Sequence, residues 1–324
     1  MVSKIILVII IFLLLLLLIK ENIKKNNKSK LYPKIYILGL KKEYIFFEDY
    51  VKSLEYKFKL NKIEYEIVLK DRFTDSFFLN KEINSYFLVL HDLSYINIKD
   101  STEKKIISKT FVINTEQLTR TSELTKMLNY IAKGYKIIDY SIGNINILEK
   151  YNFPKSTIIY LPYQVNYHEI ELDKLKNKPL TICSITPESS PHRKYIYYSL
   201  KSFDLVDITP VKGFLKERDD IIFKHKILLN THFNPSYSTY ESIRCDRLIF
   251  NKTIIFSEKS YDGSIPSDIS PYIIEFDSLN DAYSKLEHIT KNIDYYYNTF
   301  WEEFNLEKID YSRSLYLKLF IDSL

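Results

Sequence analysis

The 324 residues are 46% hydrophobic and 27% charged, enough chain for two domains with separate cores and too apolar for intrinsic disorder. The formal charge of +5 sits in residues 1–30, where six lysines face Glu21, so the remaining 294 residues balance 40 basic against 40 acidic side chains. Such a neutral body offers no global attraction to nucleic acid. Tyr (28) and Phe (20) are so abundant that a lone aromatic carries little information about a site, and the same holds for lone lysines.

In chain order, the first feature is an unbroken apolar run from Ile5 to Ile19. As a helix it reaches roughly 22 Å against a hydrocarbon core of about 30 Å; Val2 and Ser3 can lengthen it while Lys4 and Lys20 snorkel to the interfaces. No small-x-small cleavage pattern follows, so residues 1–20 are expected to be an uncleaved single-pass membrane anchor rather than a removed signal. Residues 21–33 read as a basic stalk, and its lysines favour a cytosolic over a lumenal body. Two cysteines in buried-looking segments, Cys183 and Cys245, suit a reducing compartment.

Beyond the stalk, short apolar runs alternate with longer amphipathic stretches, the pattern of parallel sheets with helical crossovers. Strands are expected at Lys34–Leu40, Tyr65–Leu69, Tyr86–Leu90, Thr110–Asn114 and Lys136–Asp139, with helices over Glu43–Leu60 and Ser122–Lys133. A second series follows: strand Leu180–Ile185, helix Lys194–Ser202, strands Leu205–Ile208 and Lys226–Asn230, helix Tyr240–Phe250, and strands Thr253–Ser257 and Tyr272–Phe276. Helices Leu279–Ile289 and Tyr295–Phe304 come last. The expected fold class is α/β: a Rossmann-like domain over 34–165, a linker over 166–179, a second Rossmann-like domain over 180–290 and C-terminal helices over 291–324, with a cleft between the domains.

No Gly-rich phosphate loop, nucleophile elbow or zinc-ligand spacing is present, so no metal site is expected. The candidates are polar residues at strand ends. In the first series these are His91-Asp92, Asn114-Thr115-Glu116-Gln117, and Asp139-Tyr140-Ser141 with Asn144. Each also suits a cap or turn. In the second series, Pro191-His192-Arg193 would set a cation and helix-start amides beside a diphosphate. Asn230-Thr231-His232 leads into Tyr240-Glu241, with Glu241 expected in the first turn of a helix and Arg244 one turn on. A carboxylate there also complements the helix dipole, and Arg244 can pair with it.

The arrangement Lys226-Ile-Leu-Leu-Asn-Thr-His232, Glu241-Ser-Ile-Arg244 and Asn251-Lys-Thr-Ile-Ile-Phe-Ser-Glu258 resembles the C-terminal domain of GT-B glycosyltransferases. Asn114-Thr-Glu-Gln-Leu118, Asp139-Tyr-Ser141 and Asn144 resemble the N-terminal domain of small GT-B-like transferases, some encoded by large DNA viruses. The likeness covers roughly residues 85 to 280. It departs at Ile249, where many retaining members carry a second Glu eight residues after the first. The resemblance implies two Rossmann-like domains facing a cleft, preceded here by the membrane anchor, and transfer of a sugar from a nucleotide-sugar donor to a glycan, lipid or protein acceptor. GT-B enzymes are typically metal-independent, in keeping with the lack of any Asp-x-Asp triplet; no cofactor beyond the donor is implied. His192, Arg193, His232, Tyr240, Glu241 and Arg244 would hold the donor, and His91, Asp92 or Glu116 would act as base, with Glu241 also acting in catalysis. The other reading is an inactive membrane-anchored scaffold of the same shape.

Overall fold

The computed structural model describes residues 33–171, 178–203 and 207–324; the expected anchor and nearly all of the stalk lie outside this set. Among the described residues no helix is long and apolar enough to cross a membrane.

Lys34–Leu324 form one compact unit containing two parallel sheets. The first half runs β1 (Ile35–Gly39), α1 (Glu48–Leu60), β2 (Tyr65–Leu69), β3 (Phe73–Thr74), α2 (Asp75–Leu79), β4 (Tyr86–Leu90), β5 (Ile96–Asn97) and α3 (Asp100–Ile106). It continues with β6 (Thr110–Asn114), α4 (Thr121–Lys133), β7 (Lys136–Asp139), α5 (Ile142–Glu149) and β8 (Ile158–Tyr160). Six of these strands form a sheet in the order β2-β1-β4-β6-β7-β8, and β3 pairs with β5 apart from it. β1 and β6 are buried along their whole length, as sequences apolar on both faces require in a parallel sheet covered by helices.

The second half runs β9 (Leu180–Ile185), α6 (Pro191–Lys201), β10 (Ile208–Val211), α7 (Leu215–Ile222), β11 (His225–Asn230), α8 (Ser242–Phe250), β12 (Ile254–Glu258), β13 (Ile273–Phe276), α9 (Leu279–Thr290), α10 (Ile293–Phe300) and α11 (Leu306–Asp322). Its sheet has the order β10-β9-β11-β12-β13. Strand order reverses beside β1 in one sheet and beside β9 in the other, which opens a crevice at the carboxyl ends of each.

Three expectations need correction. The helix over Glu43–Leu60 is broken: a 3-10 turn, Tyr44–Phe46, precedes α1, and Phe47 between them sits at φ −117°, ψ −1°. Packing explains the break, since the Phe47 ring stacks on His91 at 5.8 Å instead of following the helix. The strand expected at Leu205–Ile208 lies at Ile208–Val211, with residues 204–206 outside the described set. The helix expected from Tyr240 begins at Ser242 and leaves Glu241 as its cap residue.

The last helix returns to the first half. Phe320 meets Phe58 at 6.5 Å and Phe111 at 5.6 Å, Lys57 pairs with Asp310, and the Tyr86 hydroxyl donates to the Leu324 carbonyl. Arg313, 1% exposed, is its centre. Its Nη1 donates to the Tyr163 carbonyl and to Asp246 Oδ2, both at 2.6 Å, its Nε donates to Asp268 Oδ2 at 2.8 Å, and it lies over the Phe250 ring. One guanidinium thus joins α11, α8, the segment after β8 and the loop before β13.

Removing it strands a fully buried carboxylate, so Arg313→Met is expected to lower stability by about 3–5 kcal/mol. Adding Asp246→Asn should recover most of that loss, and urea unfolding midpoints of the two variants check both statements.

Candidate active site

The loops at the carboxyl ends of both sheets enclose a cavity of about 690 Å³. Phe46, Phe47 and Asp49 follow β1, Thr115–Gln117 follow β6, and Tyr140, Ser141 and Asn144 follow β7. Opposite them, Ile185 ends β9 and Thr186, Ser189 and Arg193 follow it, Gly213, Phe214 and Arg218 follow β10, and residues between Phe233 and Arg244 follow β11. The two walls touch beside the cavity: Thr239 N donates to Gln117 Oε1 at 3.1 Å and Asn146 Nδ2 to the Gly263 carbonyl at 3.0 Å. Gly143 permits this approach, because a Cβ there would lie 2.6 Å from that of Ser264.

Glu241 is the electrostatic centre of the second wall. Its Oε1 accepts from Arg193 Nη2 at 3.0 Å and its Oε2 pairs with Arg244 Nη1 at 2.6 Å. It makes no cap hydrogen bond through its side chain, so α8 is not what fixes its position. Arg193 is: it is 5% exposed, donates from Nε to the Thr231 carbonyl at 2.9 Å and from Nη1 to Ser189 Oγ at 3.1 Å. Burial and the adjacent Arg244 charge pull its guanidinium down to about 10, against the opposing pull of Glu241, and it remains a cation at neutral pH. Arg193 therefore acts as a strut for Glu241, while the more exposed Arg244 faces the cavity. α6 starts as a helix should, with Pro191 in its first turn and Ser190 Oγ accepting from Arg193 N at 3.1 Å. Tyr240, buried, lines the cavity beside Glu241.

His192 and His232 lie elsewhere. They line a second pocket at the ends of β12 and β13, where His192 Nε2 meets Glu258 Oε1 at 2.8 Å and His232 N donates to Glu258 Oε2 at 2.7 Å. α6 turns successive side chains by about 100°, so neighbours in sequence point to different pockets. The same pocket receives Glu258, from the segment that carried the family resemblance.

On the first wall only Glu116 of the three base candidates lines the cavity, with Arg120 Nη1 at 2.7 Å from its Oε2. His91 lies behind the Phe47 ring, its Nδ1 bonded to Thr115 Oγ1 at 2.7 Å, and its backbone is held at φ 72° in the left-handed region. Asp92 is off the cavity too. Burial raises its carboxyl, but hydrogen bonding from Ser94 and the charges of His91 and Lys126 outweigh this and hold it below the usual range, which makes it a weak base.

Beneath Glu116 sits a buried polar brace. Asn114 Nδ2 donates to Asp139 Oδ2 at 2.6 Å and to the Glu116 carbonyl at 2.9 Å, and Asn144 Nδ2 donates to the same carbonyl at 2.8 Å. The strand-end clusters singled out in the sequence thus meet, with Asn114 and Asp139 supporting the loop from beneath and Asn144 both supporting it and lining the cavity. Sequence reasoning missed the aromatic rim: Phe46 meets Phe214 edge-on at 5.2 Å, and Phe233 stacks on Tyr237 at 5.8 Å. It also missed Arg120 and Arg218. The usable signal was rarity, because arginine occurs seven times in the sequence, four of the seven line this cavity, and no lysine does.

No family model matches the chain. It is 32% identical over 245 residues to the uncharacterized protein L137 of Acanthamoeba polyphaga mimivirus, an alignment spanning 72% of this chain and 30% of that protein. It is 31% identical over 237 residues to the uncharacterized protein L140 of the same virus, 70% of each. Among solved structures, the crystal structure of Anabaena Alr3699/HepE in complex with UDP and glucose superposes with a TM-score of 0.56 at 7% identity, covering 89% of this chain and 100% of that one. The fold is GT-B, as the sequence resemblance implied.

Burial in this brace pushes the Asp139 carboxyl up to about 7, against the hydrogen bonds it accepts from Asn114, Ser141 N and Asn144. The fold therefore holds this proton more tightly than the unfolded chain, where the value is 3.8. Its stabilising contribution is complete below about pH 4 and lost as pH rises through about 7. Unfolding free energies measured from pH 4 to 8 should show that decline in the native chain, and Asp139→Asn should reduce it, leaving the part due to Asp246 and Glu169, whose carboxyls burial also raises.

Proposed function

The chain belongs to the family of the mimivirus protein L140, and we propose that it is a glycosyltransferase moving a sugar from a nucleotide-sugar donor to an acceptor hydroxyl. The observation that carries the reading is the arginine-lined cavity at the carboxyl ends of two facing parallel sheets. Arginine presents a planar fork suited to diphosphate oxygens, and four such groups in a body of balanced charge mark a place for an anion. The aromatic rim offers faces for a base and a sugar ring. A protein of the same fold, HepE, was crystallised with UDP and glucose.

In the reaction, the bond between the anomeric carbon and the diphosphate oxygen breaks, and a bond from the acceptor oxygen to that carbon forms. Arg244 faces the leaving diphosphate, and Arg193 keeps Glu241 and Arg244 in register. Glu116, on the opposite wall, takes the acceptor proton. Glu241 accepts hydrogen bonds from donor hydroxyls. No metal and no cofactor beyond the donor enter the proposal.

Membership of the pair of readings can be decided on one preparation. A nucleoside diphosphate at a hundredfold excess over Kd adds about 2.7 kcal/mol of stability, read as a rise in Tm, and Arg244→Ala should weaken that rise. Glu241→Gln should lower kcat/KM for donor hydrolysis by roughly tenfold to a thousandfold, about 1.4 to 4 kcal/mol. Turnover at the native rate would restrict Glu241 to organising its two arginines, and a Tm indifferent to uridine, guanosine, adenosine, cytidine and thymidine diphosphates would leave only the scaffold.

The proposal also includes attachment to a membrane through residues 5–19 with the body on the cytosolic side, supported by the apolar run and the lysines that follow it. Protease added to sealed microsomes carrying the chain should digest the body without detergent; full protection would reverse the orientation.

A further inference from the structure

A parallel sheet gathers every turn that leads into a strand onto one edge, opposite the edge that carries the cavity. In the first sheet these turns, with the last turn of each preceding helix, are residues 34, 57–64, 76–85, 103–109, 130–136 and 146–157. They contain twelve lysines against four glutamates and no arginine or aspartate, in a body whose charges balance only when this edge is included. Some of this is local: Lys57 is buried against Asp310, Lys34 pairs with Glu64 and Glu66, and lysines at helix ends complement the helix dipole. Seven others, Lys59, Lys62, Lys104, Lys105, Lys133, Lys150 and Lys155, are exposed, and of these Lys150 donates to the Tyr261 hydroxyl of the second half.

The same edge carries the most exposed aliphatic side chains among the described residues: Ile83 at 87%, Leu319 at 65% and Leu60 at 60%. Leu60 ends α1, and Ile83 lies in the turn into β4, where its carbonyl accepts from Lys109. Leu319 is beside Phe320, which packs on Phe58 and Phe111, and the Leu324 carbonyl behind it accepts from Tyr86, the first residue of β4. Finally, residues 1–33, with their apolar run and six lysines, join the body at Lys34, immediately before β1 and therefore at this edge.

We propose that the amino-terminal edge of the first sheet is a docking surface for an anionic lipid bilayer, lying on the membrane that residues 5–19 enter. The inference rests on the proposed anchor. Exposed lysines around isolated aliphatic groups fit a lipid surface, where ammonium groups meet anionic headgroups and the aliphatic groups enter the acyl boundary. A nucleic acid would reward neither Ile83 nor Leu60, and its usual stacking aromatics and arginines lie instead in the cavity. Docked in this way, the cavity opens away from the bilayer, on the far edge of the sheet.

The test uses the full chain with an environment-sensitive fluorophore on Ile83→Cys, and on Tyr195→Cys in the second half as control; the native Cys183 and Cys245 are buried. On reconstitution into phosphatidylserine–phosphatidylcholine vesicles, the probe at 83 should shift to the blue and the probe at 195 should not. In pure phosphatidylcholine, or with Lys59→Glu, Lys62→Glu and Lys155→Glu combined, the shift should be lost while the chain still floats with the vesicles. A floating chain whose probe at 83 never shifts overturns the docking surface and leaves the anchor standing. A chain that does not float overturns both, and an equal shift in pure phosphatidylcholine or with duplex DNA overturns the anionic bilayer as the partner. Donor hydrolysis by the same samples in detergent reports on the transferase reading separately.

Discussion

Helix α8 is held by two buried guanidinium systems, and the cavity takes its shape from that restraint. Asp246 pairs with Arg313 of the last helix, and Arg247, one residue on, donates to Asp49 of α1 at 3.0 Å and to Asp219 of α7 at 2.7 Å. Arg218 completes the second system with a 2.6 Å contact to Asp49. These side chains leave the helix toward both halves of the molecule, so its axis and its rotation are both set. Glu241 and Arg244 project from the start of the same helix into the cavity. The backbone positions of Glu241 and Arg244 relative to Glu116, on the opposite wall, therefore depend on ion pairs at the cavity's margin, where Asp49 and Arg218 also line it. The energetic logic is severe, because burying such ions is costly unless every partner is in place.

The two kinds of cation gather in different places, arginines at the cavity between the sheets and lysines at the amino-terminal edge of the first sheet. Arginines occupy the carboxyl-end cavity, where fixed forks and low exposure favour them, and lysines crowd the amino-terminal edge, where mobile, hydrated ammonium groups suffice. Left-handed backbone occurs at both ends of the strands: Lys62, Asn152 and Lys252, at φ 56°, 54° and 51°, lie where a helix ends before the next strand. His91, Thr186 and Leu215 all adopt left-handed φ values, of 72°, 49° and 52°, in or beside the loops at carboxyl ends of strands. A non-glycine residue in that region costs of order 1–3 kcal/mol.

Much of the fold was legible in the sequence. β2, β4, β6, β7 and β9 occupy the expected residues, because short runs rich in Ile, Val, Leu, Phe and Tyr bounded by turn formers have few other ways to be buried. Where the reading failed, a partner distant in sequence decided. Phe47 stops a helix that local periodicity would continue, because it stacks on a residue 44 positions away. His91 and Asp92 were in the right loop and on the wrong side of Phe47. His192 and Arg193 are adjacent, yet face different pockets. Arg120 and Arg218, unlike Arg193 and Arg244, were visible only as a scarce residue type among many lysines, and the aromatic rim was hidden by the abundance of Phe and Tyr.

The pairing of Glu241 with Arg193 and Arg244 has a consequence for release. The carboxylate is tethered to the same backbone as Arg244, so its effective concentration beside these cations is high and independent of solution conditions. It is an intramolecular competitor for any diphosphate. In the proposed reaction the diphosphate must displace it from Arg244 while Arg193 continues to hold it, and after sugar transfer the carboxylate can reclaim Arg244. The cleft would thus trade ground-state affinity for turnover: a product that gains no more from the arginines than Glu241 does is expelled without a conformational change of the domains.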